Sequence, residues 1–247
     1  MSKKQTTWSW DLLRATLFTV DQFSDQQQLE LWIKFAGCDP DQDIFQRREG
    51  IRTLSAKLPS KEQSRNLTFQ PTRIDFTFAP TQANPQSDTI EDVKAFGSQI
   101  GSLVSDCGIS SSRLALGVVA GCSVDSKIEG YQRLLALVPS LKFDPNGNIS
   151  DLIFQFNRYF DSISMPGLVL NRLMTWNVLR SILMQLPIVV GGVLRPIGEP
   201  LSFSLRLDLD LNTAQEFQGN ITGVDVKRLF DEMTGTTILT LAKGERI

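Results

Sequence analysis

The chain contains no histidine among its 247 residues. This absence excludes Ser-His-Asp and Cys-His nucleophilic catalysis, general-base chemistry by imidazole, and every metal site with a histidine ligand. An enzyme with this sequence would need carboxylates, lysine, tyrosine or a bound cofactor. The glycine pair Gly191-Gly192 lacks the lysine of a phosphate-binding loop and the spacing of a dinucleotide fingerprint, so we interpret it as a hairpin turn and expect no cofactor.

Cysteine is scarce, and Cys38, Cys107 and Cys122 form no Cys-x-x-Cys pair. An odd number of cysteines with this spacing argues against a disulfide framework and against a cysteine zinc site. We expect buried free thiols in a reducing compartment, and therefore a cytoplasmic protein.

Long apolar runs are also missing. The longest apolar stretch, residues 186–194, is interrupted by Pro187 and by Gly191-Gly192, and it is far shorter than the roughly 20 residues of a membrane-spanning helix. The basic N-terminus is followed by a polar and aromatic stretch, so we expect no secretory signal and no membrane association.

Neither sign of charge dominates, because 25 Lys and Arg residues oppose 27 Asp and Glu residues, for a formal net charge of −2. Nothing therefore steers the whole molecule toward nucleic acid or an anionic membrane, although a local basic patch is compatible with this balance. Hydrophobic residues make up 41% of the chain, which is typical of a globular protein.

The first part of the chain shows alternating strand and helix signals. Residues 14–20 predict a strand, and a capping box of Ser24 and Gln27 predicts a helix that ends at Gly37. The predicted inward stripe of this helix is Leu29, Trp32, Ile33 and Ala36. Residues 38–49 read as a loop, and two strands are predicted, at residues 50–58 and 66–79.

The second part begins after a polar, proline-containing segment at residues 81–87, the best linker candidate. Helices are predicted to begin after Asp88, at Ser126 and at Thr222, and Gly97 and Gly101 of the first of them are expected to let another element come close. The predicted strands are residues 113–122, 150–163, 168–183 and 201–212, with a short additional strand at 187–194.

This order of elements predicts an α+β fold with a mostly antiparallel, curved sheet and helices packed on one face. The long crossovers that parallel strands need are missing. We divide the chain into an N-terminal half, 1–80, and a C-terminal half, 88–247, which share one core. The halves could be pseudo-repeats of a βαββ(β)α unit, although they show no clear residue identity.

The strand at 201–212 carries the first candidate site. Asp208 and Asp210 lie on its polar face, roughly 7 Å apart from the strand rise, and two carboxylates are a weak candidate for a Mg²⁺ site. Arg206 precedes them on the same face and would tend to neutralise them. We favour the alternative of a solvated sheet face with cross-strand charge pairs.

Two neighbouring strands with an Asn-Arg pair in each carry the second candidate. Arg158 points with three phenylalanines, and a cation there needs a carboxylate, a ligand or a partner chain. Arg172 and Trp176 share a face that could stack on a planar ligand or base. We favour an internal salt bridge and a core tryptophan. The candidate binding residues are Asn157, Arg158, Asp161, Asn171, Arg172, Trp176 and Arg206.

Trp8 and Trp10 are separated by one residue near the N-terminus. They either fold back onto the sheet or form an exposed aromatic anchor for a partner. The sequence leaves both alternatives open.

The runs 152–163, 205–210 and 226–233 together resemble part of a sporadically distributed bacterial family of uncharacterised proteins of about this size. The resemblance implies a bacterial cytosolic protein. Because the family has no established activity, no functional residue carries over.

The leading hypothesis is a non-catalytic binding or assembly subunit of a bacterial intracellular complex, of an accessory or defence type, whose partner is another protein or a second copy of the chain. One alternative is a nucleic-acid-associated protein that uses Arg158, Arg172, Arg180 and Arg206 with aromatic neighbours on a sheet face. Another is a Mg²⁺-dependent phosphoryl-transfer enzyme that uses Asp208 and Asp210.

Overall fold

A computed structural model describes residues 7–19, 21–58, 62–81, 88–147, 149–181 and 202–245. The strands are β1 (Ser9–Phe18), β2 (Gln42–Gln46), β3 (Ile51–Leu58), β4 (Gln63–Gln70), β5 (Arg73–Pro80), β6 (Arg113–Val124), β7 (Ile153–Asp161), β8 (Val169–Ser181) and β9 (Ser202–Thr213). The helices are α1 (Asp25–Ala36), α2 (Thr89–Asp106), α3 (Lys127–Leu137) and α4 (Val224–Lys243).

The strands form a 9-stranded sheet in the order β2-β3-β4-β5-β1-β6-β9-β8-β7, and every neighbouring pair is antiparallel. β1 and β6 meet in the middle, and the last strand of each half returns beside the first strand of that half. The predicted α+β fold with an antiparallel sheet is confirmed. The pseudo-repeat and the division at residues 81–87 stay predictions.

The sheet has one apolar face because its strands alternate between apolar and polar residues. In β9, Leu205, Leu207, Leu209 and Leu211 are buried, whereas the residues between them lie on the opposite face. All four helices pack on the apolar face, and residues from both halves form the core there. No helix in the described ranges is both long and apolar enough to cross a bilayer.

The predicted capping box of α1 is confirmed, since Ser24 Oγ accepts from the Gln27 backbone and Gln27 Oε1 accepts from the Ser24 backbone. Gly37 ends the helix with a φ of 78°, a left-handed conformation that favours glycine. The predicted inward stripe is wrong at Ile33, which is 39% exposed. The helix buries Phe35 instead, whose ring packs 5.1 Å from that of Phe76 in β5.

Three strand predictions in the first half need correction. The strand predicted at residues 14–20 is β1, which begins five residues earlier and ends at Phe18. Residues 38–49 are not all loop, because they contain β2, whose five residues are all exposed and so lack an alternating pattern. β2 forms through its pairing with β3 and through the bidentate ion pair between Arg52 and Asp43. The predicted strand at 66–79 is two strands, β4 and β5, joined by a tight turn at residues 71–72.

Gly97 and Gly101 allow α2 to pack closely against α4, as predicted. A Cβ atom at Gly97 would lie 2.0 Å from Thr234 Oγ1, and one at Gly101 would lie 3.3 Å from the Cα atom of Lys227. The predicted short strand at 187–194, residue 201, the end of the predicted strand at 168–183 and most of the linker lie outside the described residues.

Candidate functional site

The sheet face opposite the four helices is covered by no helix in the described parts of the chain. We call the outward side chains of β1, β6, β7, β8 and β9 the open face. Its central members are Asp11, Leu12, Arg14, Val119, Leu173, Thr175, Arg206, Asp208 and Asp210. Most of these side chains are half-buried, because neighbouring side chains on the same face cover them.

Charges on the open face are paired across and along strands. Arg206 Nε donates a 2.8 Å hydrogen bond to Asp208 Oδ1, and Arg206 Nη1 lies 3.9 Å from Asp11 Oδ2. Arg14 Nη2 lies 3.7 Å from Asp210 Oδ2. Burial raises the pKa of Asp11, an effect that Arg206 opposes and Asp208 reinforces. Because its arginines are paired with aspartates, the open face is nearly neutral.

This pairing bears on the candidate Mg²⁺ site. Asp208 and Asp210 lie on one face, as the spacing predicts, but each carboxylate is next to an arginine. The described residues contain no group of three or more acidic, cysteine or histidine side chains that could hold a metal ion. The geometry matches the cross-strand charge pairs, and a metal role for the two aspartates stays a prediction without a visible third ligand.

A shallow depression lies in the middle of the open face. It has a volume of about 150 Å³, and its lining includes Leu12, Val119 and Leu173. Gly117 also lines it, and a Cβ atom at Gly117 would lie 3.5 Å from the Arg14 guanidinium. Within the described structure, Arg14 Nε and Asp210 Oδ1 are buried beside this depression without a hydrogen-bond partner. The depression therefore combines apolar walls with unsatisfied polar atoms.

The second pair of candidates lies on the helix-covered face. Arg158 of β7 and Arg172 of β8 are directly opposite each other in the strand register. Arg158 Nη2 donates a short hydrogen bond to Glu245 Oε1, and its guanidinium lies 5.3 Å from the Phe156 ring centre. Glu245, just beyond α4, also accepts from the backbone and hydroxyl of Ser140. The internal salt bridge that we favoured for Arg158 is present.

Arg172 has no such carboxylate. It is 4% exposed, and within the described ranges it forms neither a hydrogen bond nor an ion pair. Burial lowers the pKa of Arg172, and the nearby Arg158 lowers it further, while Glu245 acts in the opposite direction. This buried cation is therefore incompletely compensated.

Trp176 is fully buried, with an exposure of 0%, and its ring centre lies 6.1 Å from that of Trp8. It belongs to the core, as the favoured alternative predicts, and its faces are covered by protein. Trp8 and Trp10 are also buried, so they fold back onto the sheet and form no exposed anchor.

A cleft opens where Arg172 lies, between β7, β8 and α4. Its volume is about 340 Å³. We call it the arginine cleft, and its lining residues are Arg158, Tyr159, Phe160, Ile163, Arg172, Glu232, Thr236 and Leu239. Its apolar walls and two guanidinium groups suit an organic anion better than a neutral or cationic ligand.

Glu232 lies in the cleft but is occupied by other groups. Its carboxylate accepts from Ser162 Oγ and from the backbone amides of Ile163 and Ser164. Burial alone would raise the pKa of Glu232, but these hydrogen bonds outweigh burial and the pKa is lowered. The ionised Glu232 carboxylate therefore stabilises the turn after β7 and accepts from neither arginine in the described structure.

The remaining predicted residues lie on the other side of the sheet. Asn157 and Asp161 are exposed on β7, and Asn171 Nδ2 donates a 3.4 Å hydrogen bond to Asn212 Oδ1. These residues and Arg206 belong to the open face, so the structure does not bring them together with Arg158 and Arg172. Sequence reasoning missed Glu245, Glu232 and Leu239, which come from a distant helix and its end and carry no local motif.

No protein-family model matches the chain, and no curated protein matches it.

Proposed function

We propose that this chain is a non-catalytic binding subunit of a cytoplasmic assembly, and that another protein binds across its open face. The observation that carries the proposal is the open face itself, a polar face of a 9-stranded sheet with paired charges and an apolar depression at its centre. The three free cysteines support a reducing compartment.

The size of the open face suits a protein partner. The five strands of the open face average about 11 residues. At about 4.8 Å between strands and about 3.3 Å per residue, they cover roughly 900 Å². A stable protein–protein contact uses about 800 Å² on each partner. A small molecule would leave most of this surface uncovered.

The chemistry of the open face also suits a protein. Protein interfaces combine a central apolar patch with a surrounding polar rim. Here Leu12, Val119 and Leu173 occupy the centre, and the Arg206–Asp208 and Arg14–Asp210 pairs surround them.

Nucleic-acid binding has less support. Binding to phosphates needs an excess of positive charge on one surface, but the arginines of the open face are paired with aspartates. Arg158 and Arg172 lie on the helix-covered face and Arg206 on the open face, so no single surface presents all three.

The experiment compares partner capture by the wild type and by two arginine variants. Thr175→Arg places a long cation beside the central depression on a strand that already carries polar residues. Ala136→Arg adds the same group to the exposed side of α3 and serves as the matched control. Tagged proteins are used to capture partners from source cells at moderate salt, and protein and nucleic acid are measured in each eluate.

We expect a stoichiometric protein partner with the wild type and with Ala136→Arg, and its loss with Thr175→Arg while the circular dichroism spectrum is unchanged. A partner retained equally by all three proteins would place binding elsewhere. Captured nucleic acid whose binding falls steeply with salt would instead support the nucleic-acid alternative.

A further inference from the structure

We propose that the arginine cleft is a binding site for a small organic carboxylate, a monoanion with a compact apolar body. This site lies on the helix-covered side of the sheet and is independent of the open face, so it extends the proposed function. The inference rests on charge, burial and shape at the cleft.

The ion pairing in the cleft is incomplete. Two guanidinium groups, from Arg158 and Arg172, lie opposite each other on neighbouring strands, where like charges destabilise a sheet. Of the two carboxylates nearby, Glu245 pairs with Arg158. The ionised Glu232 carboxylate lines the same cleft, but its oxygens accept from residues 162–164 and from neither arginine. Arg172 is therefore left without a carboxylate partner, and the carboxylate of a ligand would supply one.

Burial makes this incomplete pairing costly. Arg172 is 4% exposed, and its Nε is buried without a hydrogen-bond partner among the described residues, so its guanidinium is only partly solvated. A buried charge without a partner destabilises a fold unless something in the site compensates it. Because Arg172 lines the cleft, a ligand in the cleft can reach the guanidinium.

The shape of the cleft fits an organic body next to the anion. Its volume of about 340 Å³ is in the range of small-molecule sites. The rim is apolar and open to solvent, with Ile163 90%, Tyr159 66% and Leu239 41% exposed. Phe160 continues the apolar wall inward. A ligand can therefore enter past an apolar rim and place its anionic end near Arg172.

The same features favour a carboxylate over a phosphate. The planar guanidinium fork matches the two oxygens of a carboxylate. Arg158 already binds a carboxylate here, that of Glu245. A strongly hydrated dianion would be repelled more strongly by the ionised Glu232 carboxylate and would gain nothing from apolar walls.

The test uses benzoate as the probe, with benzamide as its neutral isostere and inorganic phosphate as an anion without an apolar body. Binding is measured by calorimetry and by the shift in Tm. The variants are Arg172→Met, which removes the unpaired cation, and Leu239→Trp, which fills the rim and leaves both arginines in place. Arg47→Met removes an exposed arginine far from the cleft and is the control.

We expect saturable benzoate binding and a raised Tm with the wild type and with Arg47→Met, and no such effect with benzamide. Arg172→Met should weaken benzoate binding roughly tenfold or more, the scale of losing charge-assisted hydrogen bonds. Leu239→Trp should weaken it too, which keeps the test valid if Arg172→Met does not fold.

Three results would overturn the proposal. One is the absence of saturation by benzoate at millimolar concentrations. Another is equal binding of benzamide or of phosphate, which would show that the cleft selects neither charge nor an apolar body. The last is unchanged benzoate binding in a folded Arg172→Met or Leu239→Trp variant.

Discussion

The indole nitrogen of Trp8 donates a 2.9 Å hydrogen bond to the backbone carbonyl of Leu241, a residue 233 positions away in the sequence. The neighbouring Trp10 donates a 2.7 Å hydrogen bond to the Asp92 carboxylate on α2. The segment that leads into β1 is therefore held by two helices that follow much later in the chain. These contacts decide between the two roles that the sequence left open for the tryptophans.

Replacing Trp8 should separate its hydrogen bond from its packing. Trp8→Phe removes the donor and keeps a ring, so we expect a loss of about 1 kcal/mol in unfolding free energy. Trp8→Ala also leaves a cavity beside Trp176, and we expect a loss of about 3–5 kcal/mol. Urea denaturation measures both values. A loss below about 0.5 kcal/mol in Trp8→Ala would show that this contact does not secure the segment.

Alanine substitutions of one glycine in α2 and one in α4 should change the stability of the fold in opposite directions. Gly97→Ala places a methyl group 2.0 Å from Thr234 Oγ1 at the helix crossing, so we expect destabilisation by about 1–3 kcal/mol. Gly235 follows Thr234 in α4, but a Cβ atom added there would meet no other atom within 4 Å. Gly235→Ala should raise stability by up to about 1 kcal/mol, the helix preference of alanine over glycine.

Thermal unfolding of both glycine variants gives the comparison, and the double variant Gly97→Ala/Thr234→Ala supplies a further check. Removing Thr234 Oγ1 should recover part of the lost stability. If Gly97→Ala is as stable as the wild type, the two helices must be free to separate at this point.

Glu232 should make stability depend on pH. Its pKa is lowered in the folded protein from an ordinary value of 4.5, so its contribution is present above about pH 4.5 and is lost as the pH falls through the folded value. We expect Glu232→Gln to cost about 1–2 kcal/mol at neutral pH, from weaker hydrogen bonds to residues 162–164. The difference from the wild type should shrink in acid.

Urea denaturation at neutral and acidic pH checks this prediction, with Asp231→Asn as the control because Asp231 is the exposed neighbouring residue. A Glu232→Gln effect of equal size at both pH values would mean that the ionised carboxylate is not what the turn recognises.

The three cysteines should differ in their reactivity. Cys122 is 2% exposed, and burial raises the pKa of its thiol although Arg133 acts in the opposite direction. Cys38 and Cys107 are both partly exposed. Alkylation by iodoacetamide, followed by mass spectrometry of the native protein, should therefore modify Cys122 last. Rapid labelling of Cys122 would reveal local opening between β6 and α3.

Local patterns predicted most of the architecture, because strand alternation and helix caps are encoded by neighbouring residues. The leucines of β9 and the Ser24–Gln27 capping box are examples. The expectation of buried thiols holds only for Cys122. β2 was missed because none of its residues is buried, so its pairing with β3 leaves no periodic signal.

The candidate sites were only partly predictable. Spacing correctly placed Asp208 with Asp210, and Arg172 with Trp176, on shared faces. It could not show that Glu245 would compensate Arg158 and leave Arg172 unpaired, because that outcome depends on where α4 ends in space. Tertiary contacts across long sequence separations decide these roles.

The central position of β1 has a consequence for the order of folding. One edge of β1 can pair with β5 once the first part of the chain is available, but its other edge must wait for β6. Closing such distant segments costs chain entropy before any contact forms, which makes folding slow. We expect the nascent chain to expose the unpaired edge of β1 until β6 has been synthesised. β1 is therefore the strand that most needs chaperones to shield it.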